Sequence, residues 1–143
     1  MFLGEYKHQI DEKSRLRVPK AFKKALGKHF VVTKGTAGCL YVFTPDNVKT
    51  LLTDKLKETS LFDANIQKPI RALLSSAFEV TEDNQGRFLL PKALKQFASL
   101  SKDIIFIGVG THIEIWDAKN WKNYLEGNEN FDELLKGLKN YGI

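Results

Sequence analysis

The chain has 143 residues, 43% of them hydrophobic and ten of them phenylalanine, which is enough to bury the core of one compact domain or of two packed halves. No apolar run could cross a bilayer, the N-terminal residues lack the apolar stretch of a signal peptide, and a single cysteine excludes a disulfide framework or a cysteine-based zinc site. We therefore expect a cytoplasmic protein.

Charge is unevenly distributed along the chain, which carries +5 overall. Residues 1–35 hold nine basic and three acidic residues, whereas residues 114–143 hold four basic and six acidic ones. A basic N-terminal segment indicates a polyanionic partner, although charge alone is explained about equally well by a solvated lysine-rich surface.

One short phrase occurs twice. The segment Asp11-Glu-Lys-Ser-Arg15-Leu-Arg-Val-Pro19-Lys-Ala returns 72 residues later as Asp83-Asn-Gln-Gly-Arg87-Phe-Leu-Leu-Pro91-Lys-Ala. A catalytic loop is seldom needed twice in a small protein. The repeat favours a module that pairs with its own copy and presents one arginine loop per copy.

Each copy continues with the same predicted elements. A proline introduces a short helix, because its missing N–H has no intrahelical partner in the first turn, and a hairpin with glycines at its turn and a second helix follow. The predicted bounds are helices over 20–26 and about 92–98, hairpin strands over 30–33 with 39–43 and 104–107 with 112–116, and closing helices over 45–52 and 118–125. Units this small are expected to share one core.

The segment between the copies carries apolar residues at helical spacing. We expect a helical connector over 54–78, kinked or restarted at Pro69 and too apolar to stay solvated. Its apolar residues are Leu61, Phe62, Ile66, Ile70, Leu73, Leu74 and Phe78. The stretch 131–138 predicts an amphipathic helix that caps this subunit or docks on a neighbour, and the cap is slightly favoured. The predicted domains are residues 1–52, 53–78, 79–126 and 127–143.

The spacing of Asp and Arg predicts a hairpin or tight turn in which the carboxylate accepts backbone N–H bonds and Gly86 supplies a positive φ. Asp and Arg could simply staple this turn, and we expect that role for the aspartates. For Arg15 we expect an anion contact instead, because Lys13 and Arg17 add positive charge beside it. Arg87 lacks such neighbours in sequence and is expected to be the weaker contact.

Other residues give weaker signals. Gly108-Val-Gly110 predicts a hairpin turn rather than a phosphate loop, and Cys39 a small core residue. His8, His29 and His112 lack companions at metal-ligand spacing, and Trp116 and Trp121 are expected in the core or at subunit contacts. Asp11 and Asp83 as a catalytic acid–base pair are a distant alternative to their role in the turns.

The motifs together resemble those of the MraZ family, a duplicated member of the AbrB-like (SpoVT–AbrB) group. The residues that carry the resemblance are Met1-Phe2-x-Gly4, Asp11-x-Lys13-x-Arg15-Leu-x-Val-Pro19, Ser75-Ser-Ala-Phe-Glu-Val, Asp83-x-x-Gly86-Arg87-x-x-x-Pro91, Gly108-x-Gly110 and Ile113-Glu-Ile-Trp116-Asp, with Trp121 and Tyr124. They span nearly the whole chain.

The resemblance implies an α+β, mainly β fold: a pseudo-twofold swapped-hairpin barrel built by two tandem βαβ-type repeats with flanking helices. It implies a sequence-specific DNA-binding transcriptional regulator, not an enzyme, with no cofactor or metal. Such proteins assemble into closed rings, here of roughly eight or more subunits. The rings bind double-stranded DNA at direct repeats upstream of the division and cell-wall gene cluster, including their own promoter, so the protein would be nucleoid-associated.

The resemblance assigns DNA contact to Arg15 and, less firmly, Arg87, with Lys13 as a phosphate partner. Arg17 and Lys20 are added from charge alone. The structural residues of the motif are Asp11, Pro19, Asp83, Gly86 and Pro91. Ser14 stands where the family usually has glycine, so its turn is expected to differ slightly.

One alternative is an oligomeric interaction protein whose basic face binds an acidic protein, as AbrB-like antitoxins bind toxins. Such antitoxins usually carry a disordered partner-binding arm. Here the second copy occupies that position, which favours the DNA-binding interpretation.

Overall fold

The structure is a computed structural model that describes residues 1–60, 62–127 and 129–143. Leu61, predicted in the helical connector, lies outside the described residues. The described strands are β1 Phe2–Gln9, β2 Arg15–Arg17, β3 His29–Lys34, β4 Leu40–Phe43, β5 Phe78–Thr81, β6 Arg87–Leu89, β7 Asp103–Gly110 and β8 Ile113–Asp117. The described helices are α1 Lys20–Leu26, α2 Pro45–Val48, α3 Lys55–Lys57, α4 Ala64–Ser75, α5 Lys92–Phe97, α6 Ala118–Leu125 and α7 Phe131–Lys136. A π-helical segment, Lys49–Asp54, joins α2 to α3, and a 3-10 turn spans Lys139–Tyr141.

The two copies exchange strands. Six strands form an open antiparallel sheet in the order β1-β7-β8-β4-β3-β5, and β2 pairs with β6 in a separate ribbon. The first strand of each copy pairs with the other copy, β1 with β7 and β5 with β3, while β2–β6 and β4–β8 join equivalent strands. This pseudo-twofold exchange confirms the predicted α+β, mainly β fold of two swapped tandem repeats.

One core serves both copies. The ribbon residues Leu16 and Phe88 are paired with each other and buried, and they belong to the same cluster as Val32, Ile104 and Phe106 of the sheet. Alternate residues of β7, such as Ile105 and Ile107, belong to a second cluster with Trp116, because successive side chains of a strand point to opposite faces. The ribbon therefore packs over one face of the sheet.

The short helices begin where the sequence predicts. Pro19 and Pro91 each directly precede the first helical residue, with φ of −51° and −56°. Phe22 and Leu26 bury one face of α1, and Gly27 ends it at φ 76°. The bounds of α1 match the prediction, while α5 ends at Phe97, one residue early.

The two hairpins are also confirmed, but the turn of the second lies at residues 111–112 and not at Gly108-Val-Gly110 as predicted, since those residues belong to β7. β3 pairs with β4 and β7 with β8, and Gly108 lies within β7 where an added Cβ would collide with the backbone of Phe2 and Leu3. The second strand of each hairpin begins one residue later than predicted: β4 begins at Leu40 instead of Cys39, and β8 begins at Ile113 instead of His112. Cys39 is fully buried, and this burial, with the nearby Glu114 carboxylate, raises the pKa of its thiol to about 12.

The prediction for the connector is partly wrong. The helix α4 begins after Asp63, whose carboxylate accepts from the N–H of Asn65, and runs through Pro69 without ending. Phe78 begins β5 instead of extending the helix, since it pairs with Val32 of β3. None of the residues of α4 is buried, and Phe62 before it is 92% exposed. The single chain therefore does not bury the apolar side chains of α4, contrary to the prediction that this segment does not stay solvated.

The C-terminal helix does not cap this subunit. No residue of α7 is buried, and Phe131 is 72% exposed. The second cluster is already covered by α6, whose Trp121 packs against it. The favoured prediction of a cap is therefore wrong for the chain by itself. Among the described residues, no helix is long and apolar enough to span a membrane.

Candidate nucleic-acid interface

The first arginine loop is a tight turn held by one carboxylate. Asp11 Oδ1 accepts from the backbone N–H groups of Lys13 at 2.9 Å and Arg15 at 2.8 Å, and Oδ2 accepts from Arg15 Nε at 2.7 Å. Backbone bonds from the N–H of Asp11 to the carbonyl of Arg15 and from the N–H of Ser14 to the carbonyl of Asp11 close the turn. No pairing joins β1 to β2 in the described sheets, so the segment is a tight turn and not a hairpin.

The second loop repeats every one of these bonds. Asp83 Oδ1 accepts from the N–H groups of Gln85 and Arg87, both at 2.9 Å, and Oδ2 accepts from Arg87 Nε at 2.9 Å. The backbone of Asp83 bonds to that of Arg87 and of Gly86 in the same pattern. The Asp-x-x-x-Arg motif therefore forms the same turn at both of its positions in the chain, residues 11–15 and 83–87.

Both aspartates act as the sequence predicts, but Arg15 is also part of an internal pair, contrary to expectation. The pair uses only Nε of each guanidinium. Within the described residues, the terminal Nη atoms of Arg15 and Arg87 have no hydrogen-bond partner, and the side chains are 30% and 22% exposed. The carboxylate thus orients each guanidinium and leaves its outer donors available for an anion.

The turn residue differs between the copies but the backbone does not. Ser14 has a φ of 60° and Gly86 a φ of 73°, so both adopt the left-handed conformation. The expected difference in the first turn is not seen. Ser14 instead uses its hydroxyl, which accepts from Lys95 Nζ at 3.2 Å.

Both carboxylates are stabilised in the charged form. The backbone N–H of Arg15 is the main cause that holds the pKa of Asp11 below its usual value, and the Arg15 guanidinium adds to it. The N–H of Arg87 does the same for the pKa of Asp83. In each case these bonds outweigh the desolvation that opposes ionisation, so both aspartates are ionised at neutral pH.

The second turn has basic neighbours that its own sequence lacks. Arg17 lies directly opposite Arg87 in the β2–β6 ribbon, and its Nη1 donates to the carbonyl of Gln85 at the tip of the second turn. The Lys23 ammonium of α1 lies over Gly86, 2.5 Å from where a Cβ would be. The expectation that Arg17 supports Arg15 and that Arg87 stands without basic neighbours is therefore wrong, because strand exchange carries Arg17 to the other turn.

The first turn receives its extra charge by the same exchange. Lys95 of α5, the equivalent of Lys23 at the same offset of 72 residues, reaches Ser14. Lys13 is exposed beside it, and the residue opposite Arg15 in the ribbon is Leu89, which is 63% exposed. Each turn thus combines its own arginine with a lysine from the other copy.

The remaining predicted residues are more distant from the turns. Lys20 begins α1 and is exposed, and within the described residues it makes no hydrogen bond or ion pair with either turn. Pro19 is buried and Pro91 half-buried, as their structural role requires. Sequence reasoning missed Lys23 and Lys95. Their common offset was the signal that could have found them, since equivalent helices must meet equivalent turns.

The candidate residues outside the turns are buried or make hydrogen bonds within the fold. Trp116 is buried, and the indole N–H of Trp121 donates to Glu5 at 2.9 Å. Glu114 accepts from the Trp116 indole at 3.0 Å, and its other oxygen lies 3.8 Å from His112 Nε2. Burial opposes the ionisation of Glu114, but the nearby His112 imidazole and the Trp116 indole hold its pKa below the usual value. In the described part of the chain, no group of three or more His, Cys, Asp and Glu residues is placed to hold a metal ion.

Comparison with known proteins agrees with the resemblance in the motifs. The model of the family described as "MraZ protein, putative antitoxin-like" matches residues 1–67 and 73–138. Proteins named "Transcriptional regulator MraZ" from Clostridium beijerinckii and Alkaliphilus metalliredigens are each 42% identical to this chain, and one from Clostridium acetobutylicum is 41% identical. Each match covers 100% of both chains. With a match of this extent to the family model and to full-length relatives, the chain belongs to the MraZ family.

Proposed function

We propose that this protein is a transcriptional regulator that binds double-stranded DNA through both Asp-x-x-x-Arg turns. One observation carries the proposal: the two turns make the same internal hydrogen bonds, and each holds an arginine by Nε alone, with its outer donors free among the described residues. A carboxylate that fixes the guanidinium plane prepares it for a phosphate or a guanine edge. The turns have a binding role rather than a catalytic one.

Assembly is the second part of the proposal. The protein forms a closed ring that presents many turns at once and binds direct repeats upstream of the division and cell-wall gene cluster, including its own promoter. The exposed apolar side chains of the connector and C-terminal segments, among them Phe62, Phe131 and Tyr141, support burial between subunits. This role places the protein at the nucleoid in the cytoplasm.

The test compares DNA fragments from upstream of the gene that contain one repeat or several. Because each turn offers few charges, linked sites are expected to bind far more tightly than a single site. Gel shift at constant salt measures the difference, with a shuffled fragment of equal length as control. Equal affinity for one repeat and several would contradict the multivalent proposal, and no preference over the shuffled fragment would contradict sequence-specific binding.

A second candidate is an assembly that binds an acidic protein. It is supported by the antitoxin-like description of the family and by the uncovered apolar residues of α7. An acidic partner would engage that apolar helix as well as the basic turns. Deleting residues 131–143 would then abolish partner binding but leave DNA binding at equal oligomer size unchanged.

A further inference from the structure

The residue before each turn aspartate differs sharply between the copies. Ile10 and Glu82 are equivalent, and both backbones have the same setting: the N–H of Ile10 donates to the carbonyl of Lys102 at 3.0 Å, and that of Glu82 to Lys28 at 2.9 Å. Ile10 is 6% exposed and packs in the core. Glu82 occupies the equivalent place with a carboxylate whose side chain is only 7% exposed.

This carboxylate has little to satisfy it. Among the described residues, Glu82 Oε1 is buried and has no hydrogen-bond partner, and the cation it faces is Lys23 Nζ at 3.8 Å. A buried carboxylate without hydrogen bonds is costly, and the nearby ammonium offsets part of that cost. Moving the ammonium away toward another anion would leave Glu82 buried and unpaired.

The lysine in question is the one that lies over the second turn. Lys23 Nζ sits where a side chain at Gly86 would be, and its side chain is 39% exposed. Its counterpart Lys95 donates to the Ser14 hydroxyl, and no ion pair of Lys95 is found in the described part of the chain. Among the described residues, the lysine at the first turn is therefore not paired with a carboxylate, whereas the lysine at the second turn is paired with Glu82.

We propose that Glu82 is a positioning residue that holds Lys23 and withholds its charge from DNA phosphates, making the second turn the weaker anion site. The inference rests on the proposed function, since it assumes that phosphates reach the turns. The protein would then carry a graded pair of contacts: with Lys23 held by Glu82, Arg17 alone supports Arg87 at the second turn, while Lys13 and Lys95 both add charge beside Arg15 at the first.

The test is a double-mutant cycle on DNA affinity with the full-length chain. In the native background Lys23→Gln should weaken binding to a multi-repeat fragment by less than about two-fold, because its charge is already paired. In the Glu82→Gln background the same change should weaken DNA affinity by roughly five-fold or more. It should also reduce the magnitude of the slope of log K against log salt by about one, because one fewer cation contacts a phosphate. Lys95→Gln is the matched control and should cost the same in both backgrounds.

Additive effects of Glu82→Gln and Lys23→Gln would overturn the inference, while leaving DNA binding itself intact. The inference would also be overturned if Glu82→Gln were equally non-additive with Lys95→Gln. The lost carboxylate charge would then act through the overall electrostatic potential of the protein and not through Lys23. A protein whose native form does not bind DNA would contradict the proposed function instead.

A second measurement decides the Glu82–Lys23 contact without DNA. Lysine labelling by an N-hydroxysuccinimide ester, quantified by peptide mass spectrometry, should rise at Lys23 by about three-fold or more in Glu82→Gln, because the carboxylate no longer shields the amine. Labelling of Lys24 and Lys95 should be unchanged. Unchanged labelling at Lys23 would mean that Glu82 does not hold it.

Discussion

The two arginine turns share a backbone and differ in what surrounds them. Asp11 and Asp83 make the same bonds to within a few tenths of an ångström, although Ser14 stands in one turn and Gly86 in the other. Their neighbours come from the opposite copy: Lys95 for the first turn, Arg17 and Lys23 for the second. Local sequence thus determines the turn, while strand exchange determines its charge.

The largest expected effect is loss of the arginine. Arg15→Ala should weaken specific DNA binding by roughly ten- to hundred-fold, since an oriented guanidinium is worth about 1–3 kcal/mol where it reads a base. Arg87→Ala should cost less if the second turn is the weaker site. Affinity is measured by gel shift and oligomer size by light scattering. A change of size in Arg15→Ala would show that the residue is structural; a larger loss in Arg87→Ala would reverse the ranking of the turns.

The next prediction tests the strand exchange, which sets Arg17 beside the second turn. Arg17→Ala should be non-additive with Arg87→Ala and additive with Arg15→Ala, because Arg17 contacts the second turn through Gln85. Residues in contact typically show coupling of about 0.5 kcal/mol or more. Coupling in DNA affinity that appeared with Arg15 instead would restore the assignment made from sequence proximity.

Acid should open both turns together. The pKa values of Asp11 and Asp83 lie below the ordinary aspartate value of 3.8, so their bonds contribute stability that is fully present above that value and lost as pH falls through the lower folded pKa. Exchange of the amide hydrogens of Arg15 and Arg87 should accelerate below about pH 4 beyond its intrinsic pH dependence. The variants Asp11→Asn and Asp83→Asn, each tested at its own turn, should not show this transition. A transition at one turn only would break the equivalence.

The smallest effect concerns the left-handed residue. Ser14→Gly should stabilise the fold by up to about 1 kcal/mol through relief of its positive φ, reduced by the lost bond from Lys95. Gly86→Ala should destabilise by about 1 kcal/mol, since it adds a Cβ at positive φ and displaces Lys23. Urea unfolding measures both. Destabilisation in Ser14→Gly larger than that in Gly86→Ala would mean that the Lys95 contact outweighs backbone strain.

Much of the fold could be predicted from local signals. The prolines before α1 and α5, the glycine after α1 and the β3–β4 and β7–β8 hairpins depend on neighbouring residues, and they lie within a few positions of where the sequence predicts them. The apolar connector and the C-terminal helix could not be placed in this way. Periodicity indicates a helix and its apolar face, but it does not indicate whether that face packs against the same chain or against another subunit.

The sequence by itself determined the duplicated unit, the two Asp-x-x-x-Arg turns and membership in the MraZ family, because these depend on short-range geometry and on residue identity at fixed spacing. Only the tertiary structure decided which charges meet which turn. Arg17 is two residues from Arg15, yet pairing of β2 with β6 sets it against Arg87. The carboxylate of Glu82 likewise meets Lys23, 59 positions earlier in the chain, because exchange of strands between copies joins positions that no local pattern connects.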